Sequence, residues 1–186
     1  MPTPTEELKI EHQAIKRMLG ILTRACARIE AGSPVDPAHL DAAVEFIRVF
    51  ADKCHHGKEE DLLFPAMVAA GVPDQGGPIG VMKAEHTRGR ELVRKAAAAL
   101  PGLKRKDRAA AADFVAQARG YAALLGPHID KEDFILYPMA DRLLAKSVQA
   151  GLSKEFERVE DEIIGGGSHE RFHRLLDDLE AAYPPA

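Results

Sequence analysis

The chain has 186 residues, of which 46% are hydrophobic and 29% charged, a balance that fits one globular domain with room for an appendage and excludes a disordered chain. A net charge of −4 and a pI near 6.1 argue against a nucleic-acid binder, which carries a basic stripe. Aromatics at 5%, no tryptophan and abundant alanine favour packed helices over strands.

Cys26 and Cys54 are too few and too far apart for a disulfide framework or a cysteine zinc site. No apolar leader follows Met1 and no run is long enough to span a membrane, so the expectation is a cytoplasmic protein with reduced thiols.

Turn signals at 30–37, 70–78 and 100–107 separate segments with helical periodicity. The first helix is predicted from about Thr5 to Ala31, with Leu8, Ile15, Leu19, Leu22, Cys26 and Ile29 on its apolar stripe. The second starts after Asp36 as N-cap, with Pro37 at the first helical position, and runs to Ala70 before Gly71. The third covers about 79–99. The basic cluster "KRKDR" at 104–108 reads as a solvated turn. The fourth covers about 107–146. Pro65, Pro127 and Pro138 predict bends or shorter helices, because proline removes a helical hydrogen bond. Two shorter helices follow, about 153–164 and 168–182, split by "GGGS" with Ser168 as N-cap.

One pattern occurs twice. "KIEHQAIKRML" at 9–19 matches "KAEHTRGRELV" at 83–93, and "HHGKEEDLLFP" at 55–65 matches "HIDKEDFILYP" at 128–138. His12 precedes His55 by 43 residues and His86 precedes His128 by 42. Counting back from the two prolines makes Glu59 the equivalent of Glu132. That leaves His56 and Glu60 one step round the helix, behind the main donors or in solvent. A histidine and a glutamate four residues apart share a helix face and can reach one metal centre. His12 and His86 lie on apolar stripes. Six donors therefore point into a bundle: His12, His55, Glu59, His86, His128 and Glu132. Buried without a metal, such a set would cost several kcal/mol, about the penalty of unpaired buried charge.

These residues resemble the hemerythrin-like, or HHE cation-binding, family, whose pattern is His followed by His-x-x-x-Glu, given twice. The resemblance covers about residues 5–145. It implies an all-α, up-down-up-down four-helix bundle over 1–148, with residues 149–186 as a helical extension packed on the bundle or on a partner subunit. It implies a non-haem di-iron centre, bridged by the carboxylates and an oxo or hydroxo group, which binds or senses O₂, NO or peroxide. Zinc or manganese also suits such donors. Iron storage or trafficking, a structural zinc site, and an enzyme that consumes peroxide or NO are the alternatives. The expected partner is the small ligand, with neither nucleic acid nor membrane; a homodimer fits the reading. The oxygen carriers of the family draw a fifth histidine from a pair on the third helix, which His86 lacks. His56, His169, His173, Tyr121 and Glu85 are candidates for a further ligand.

"HERFH" at 169–173 fits the H-E-x-x-H expression of zinc proteases. Its place after a glycine linker favours an amphipathic helix that packs through Phe172, Leu175, Leu176 and Leu179. Such a helix could also cover the bundle end and lend a histidine. Cys54 reads as core packing, and Phe64 and Tyr137 as matched residues packed near the bundle end.

Overall fold

The structure, a computed structural model, describes residues 2–163, 165 and 168–185, with the backbone alone at Ser168 and His169. Every regular element among the described residues is helical: α1 (Pro4–Glu30), α2 (37–69), α3 (Pro78–Lys104), α4 (108–143), α5 (Lys146–Ile163) and α6 (Ser168–Ala182). No helix is long and apolar enough to cross a membrane.

Local chemistry explains the ends. Thr3 caps α1: its side chain accepts from Glu6 N–H while Glu6 accepts from Thr3 N–H, a reciprocal capping box. Asp36 and Asp107 cap α2 and α4. Gly71, at φ +99°, turns the chain after α2 in a conformation that side chains resist. The third helix runs further than its sequence turn suggested, through Pro101 to Lys104. Close packing accounts for this. Leu100 is buried, and a Cβ on Gly102 would lie 2.5 Å from Ala110 Cβ, so α3 and α4 approach closely there.

The prolines do not break the long helices. Pro127 sits within Arg108–Lys131. Pro65 and Pro138 each follow a π-helical stretch, Glu59–Leu63 in α2 and Glu132–Leu136 in α4. A further π stretch covers Ile47–His56. A π turn bonds i to i+5, so the wider ladder accommodates a residue that cannot donate. Both Glu59 and Glu132 open such a stretch.

Two apolar clusters sandwich a polar layer. One contains Leu8, Leu63, Phe64, Met82, Leu136 and Phe156; the other contains Ile15, Phe46, Phe50, Leu92, Leu125 and Phe172. Between them in sequence, on all four long helices, fall the repeated histidines and glutamates.

The C-terminal helices pack on this body. In α5, Leu152 and Phe156 join the first cluster. In α6, Phe172 lies edge-on against Phe46 and Phe50, with centroids 5.4 and 5.6 Å away, and Arg17 pairs with Asp177 and Glu180. Phe172→Ala should therefore destabilise the protein by about 3–5 kcal/mol. In thermal unfolding that is a fall of roughly 2–4 °C per kcal/mol for a chain this size. A shift under about 2 °C would show that α6 is not docked on α1 and α2.

Candidate metal centre

Each long helix delivers part of one buried layer. α1 provides His12, α2 provides His55, His56 and Glu59, α3 provides His86, and α4 provides His128 and Glu132; all seven are buried. Donor atoms fall into three groups whose members lie within 4.8 Å of one another: His12, His55 and Glu132; His56, His86 and His128; and Glu59, His86 and Glu132.

The carboxylates connect the two histidine sets. Glu132 Oε2 is 3.3 Å from His12 Nε2, and its Oε1 is 3.2 Å from His128 Nε2. Glu59 Oε2 lies 3.7 Å from His55 Nε2 and 3.5 Å from His86 Nε2. Tyr137 donates to Glu59 Oε1 at 2.7 Å and lies 3.3 Å from His12 Nε2.

Behind the layer, every histidine turns Nδ1 to a carboxylate. The pairs are His12–Asp133 (2.7 Å), His55–Glu11 (2.7 Å), His56–Asp52 (3.4 Å), His86–Glu60 (2.6 Å) and His128–Glu85 (2.8 Å). Each carboxylate meets a cation in turn: Lys16 on Asp133, Lys58 on Glu11, Arg90 on both Asp52 and Glu60, and Lys131 on Glu85. A carboxylate on Nδ1 holds the proton there, fixes the ring, and leaves the Nε2 lone pair for a metal.

The layer fits a cation on three observations. First, His55 Nε2, Glu59 Oε2 and both Glu132 oxygens are buried with no hydrogen-bond partner among the described residues. Natural interiors rarely leave such atoms unpaired. Second, His86 Nε2 and His128 Nε2 are 3.0 Å apart, although both rings bind carboxylates through Nδ1. Two facing lone pairs repel unless a proton or a metal cation sits between them. Third, burial and the Glu132 charge hold the Glu59 carboxyl well above its ordinary range. Glu132 lies well below it: burial opposes ionisation, but the His12, His128 and His86 rings beside it prevail. Burial pushes the His55 and His56 imidazoles well down, keeping them neutral as ligands must be. His12 and His86 are raised, because their carboxylate contacts outweigh burial.

The six sequence candidates thus lie in one layer. His56 is the revision. It is 4% exposed, stacked on the His86 ring at 3.9 Å, and within the donor group of His86 and His128. The physical reason is that α2 packs against α3 as well as against α1. A step of about 100° round a helix turns from α1 towards α3 rather than towards solvent. Glu60 lies behind His86, and Glu85 backs His128 rather than joining the layer. Tyr121 lines a side cavity with His56. His173 is exposed on α6 and belongs to none of the three donor groups. The His169 side chain lies outside the described residues, as does the proposed capping by the Ser168 side chain. Glu170 is exposed too, so the described part of "HERFH" does not build a protease site.

Tyr137 was read as packing and instead supplies a hydrogen bond to Glu59. Its repeat partner is Phe64, so the added hydroxyl was the available signal. Cys54 and Cys26 are buried free thiols, and burial pushes them up to about 12 and about 11. A thiol that stays protonated is a poor nucleophile. Neither cysteine should react with a disulfide reagent at neutral pH until the protein is unfolded; rapid labelling of the folded protein would contradict their placement.

Fold and site together define a helical-bundle protein with an interior histidine–carboxylate cation site. The chain belongs to the hemerythrin family: the hemerythrin HHE cation binding domain matches residues 3–140. It is 25% identical over 178 residues to the uncharacterized protein Mb2018 of Mycobacterium bovis and to the uncharacterized proteins MT2051 and Rv1995 of Mycobacterium tuberculosis. These matches span 96% of this chain and 69% of each relative. No solved structure matches significantly.

Proposed function

We propose that the layer holds a pair of iron ions and binds or senses one small ligand of the O₂, NO or peroxide class. The supporting observation is the set of orphaned inward atoms on Glu59, Glu132 and His55 within five carboxylate-backed imidazoles. His12 and His55 would hold one ion and His56, His86 and His128 the other, with Glu59 and Glu132 shared. The reading takes the four long helices as an up-down-up-down bundle.

Imidazoles with a few carboxylates suit iron, and a dedicated zinc site is less well supported. Structural zinc takes four ligands in a closed shell, whereas this layer offers seven donors in one contiguous set. When bound, paired iron supplies a redox-active Lewis-acid centre with room for an external ligand. The protein's own residues orient the donors, exclude bulk water with the apolar clusters on either side, and place the Tyr137 hydroxyl on Glu59.

Anaerobic reconstitution with ferrous iron, followed by oxygen, tests this. Charge-transfer bands of a paired ferric centre that revert on deoxygenation support carriage or sensing. Irreversible oxidation with peroxide consumption points to turnover. A colourless protein that takes zinc and refuses iron contradicts the proposal.

A further inference from the structure

A cavity lies beside the metal layer and shares only His56 with its donors. It has a volume of about 230 Å³ and opens between α2 and α3, with Tyr121 of α4 in its wall. That is roughly the space of several water molecules, at about 30 Å³ each, and is too small for a drug-sized ligand. Gly89 leaves one wall without a side chain; a Cβ there would meet the Tyr121 ring at 3.4 Å.

Its charge is one-sided. Arg48, Arg90 and Arg94 line it, against one acid, Asp52. Arg90 is spent on Asp52 and Glu60, at 2.7 and 2.9 Å. Arg48 and Arg94 make no ion pair or hydrogen bond among the described residues. Tyr121 is 3% exposed and its hydroxyl has no hydrogen-bond partner among them either. Two guanidinium groups on exposed arginines, and one hydroxyl without a partner among the described residues, thus border one small cavity. Guanidinium recognises planar carboxylates and oxyanions through paired N–H donors. The wall towards the metal layer is the His56 ring, whose Nδ1 faces Asp52.

We propose that this cavity binds a small oxyanion or short carboxylate, held by Arg48, Arg94 and the Tyr121 hydroxyl beside His56. The site does not depend on which metal fills the layer. An anion there would sit against the Asp52–Arg90 pair that backs His56 and would alter the field at that ligand.

The experiment is a titration of the full chain with ¹³C-formate in chloride-free buffer, followed by formate NMR. It is run on metal-free and on zinc-loaded protein, with metal content measured in parallel. Saturable binding in both forms is expected. Arg48→Ala with Arg94→Ala should weaken it at least about tenfold, as loss of charge-assisted bonds requires. Tyr121→Phe should weaken it to a lesser degree while circular dichroism is unchanged. Binding confined to the zinc-loaded form and indifferent to both arginines would place formate on the metal and overturn the proposal. Absence of saturable binding in the wild type would overturn it as well. Failure to take up metal would count against the di-iron reading alone, because the metal-free titration still reports on the cavity.

Discussion

Glu132→Ala is expected to leave a protein that no longer holds a pair of metal ions. Its two oxygens reach opposite histidine sets, at 3.3 Å from His12 Nε2 and 3.2 Å from His128 Nε2. Glu59 also reaches both sets, but through the single oxygen Oε2. Loss of a partner behind a ligand already weakens metal binding by about 10–100-fold. Removal of a shared donor should therefore cost at least about 100-fold for one ion or both. Metal analysis after dialysis against a weak chelator reads this directly. Glu60→Ala is the internal comparison: among the layer's histidines Glu60 meets His86 Nδ1, its other partner being Arg90, so about 10–100-fold is expected at that side alone. If Glu132→Ala keeps two tightly held ions, Glu132 is not a shared ligand.

Lys58→Ala should be the costliest change among the cations that back the donor layer. Lys58 is 0% exposed; its ammonium donates to Glu11 at 2.6 Å and also pairs with Glu160, and it lies 5.4 Å from the Phe156 ring centroid. Burial opposes its charge, but the Glu11 and Glu160 contacts keep it raised and cationic. Its removal would take the ammonium from a buried carboxylate, Glu11, that also holds His55 Nδ1. Breaking a buried pair from one side costs about 3–5 kcal/mol. The repeat supplies a control in Lys131, which pairs with Glu85 behind His128 in the same way but is 37% exposed. There solvent screens the loss, and about 0–1 kcal/mol is expected for Lys131→Ala. Denaturant unfolding of the two variants should separate them clearly. Equal, small effects would mean that Lys58 is not buried beneath α5.

That asymmetry links the C-terminal region to the metal layer. The family match ends at residue 140, yet Glu160 on α5 completes the chain His55–Glu11–Lys58–Glu160. Phe156 covers the same lysine. In the second copy of the pattern the matching lysine, Lys131, stays partly in solvent.

Much of this was legible in the sequence, and for a physical reason. The repeat carries its supporting residues as well as its donors. Glu11 and Glu85 both precede a lone histidine, and each receives Nδ1 from the histidine of its own copy. Glu60 and Asp133 both follow the shared glutamate, and each backs the lone histidine of the other copy. Lys58 and Lys131 precede that glutamate. Those roles could have been read from the four quoted segments, because a supporting residue must recur wherever its ligand recurs. His56 could not be read that way: its equivalent in the second copy is Ile129, so the repeat argued against it. Only the position of α2 between α1 and α3 turns it inward. The π stretches were also invisible, since periodicity over a few residues cannot separate i→i+4 from i→i+5 bonding. The prolines six residues after Glu59 and Glu132 were the available sign, read instead as bends.

The most direct test of the account is the metal content of protein purified from iron-supplemented cells, measured on the wild type and on His56→Ala in parallel. The account predicts about two iron ions per wild-type chain, and a His56→Ala protein that loses the ion held with His86 and His128 while retaining the other. One ion or fewer in the wild type, or two tightly bound ions in His56→Ala, would contradict the assignment of seven donors to a paired-iron site.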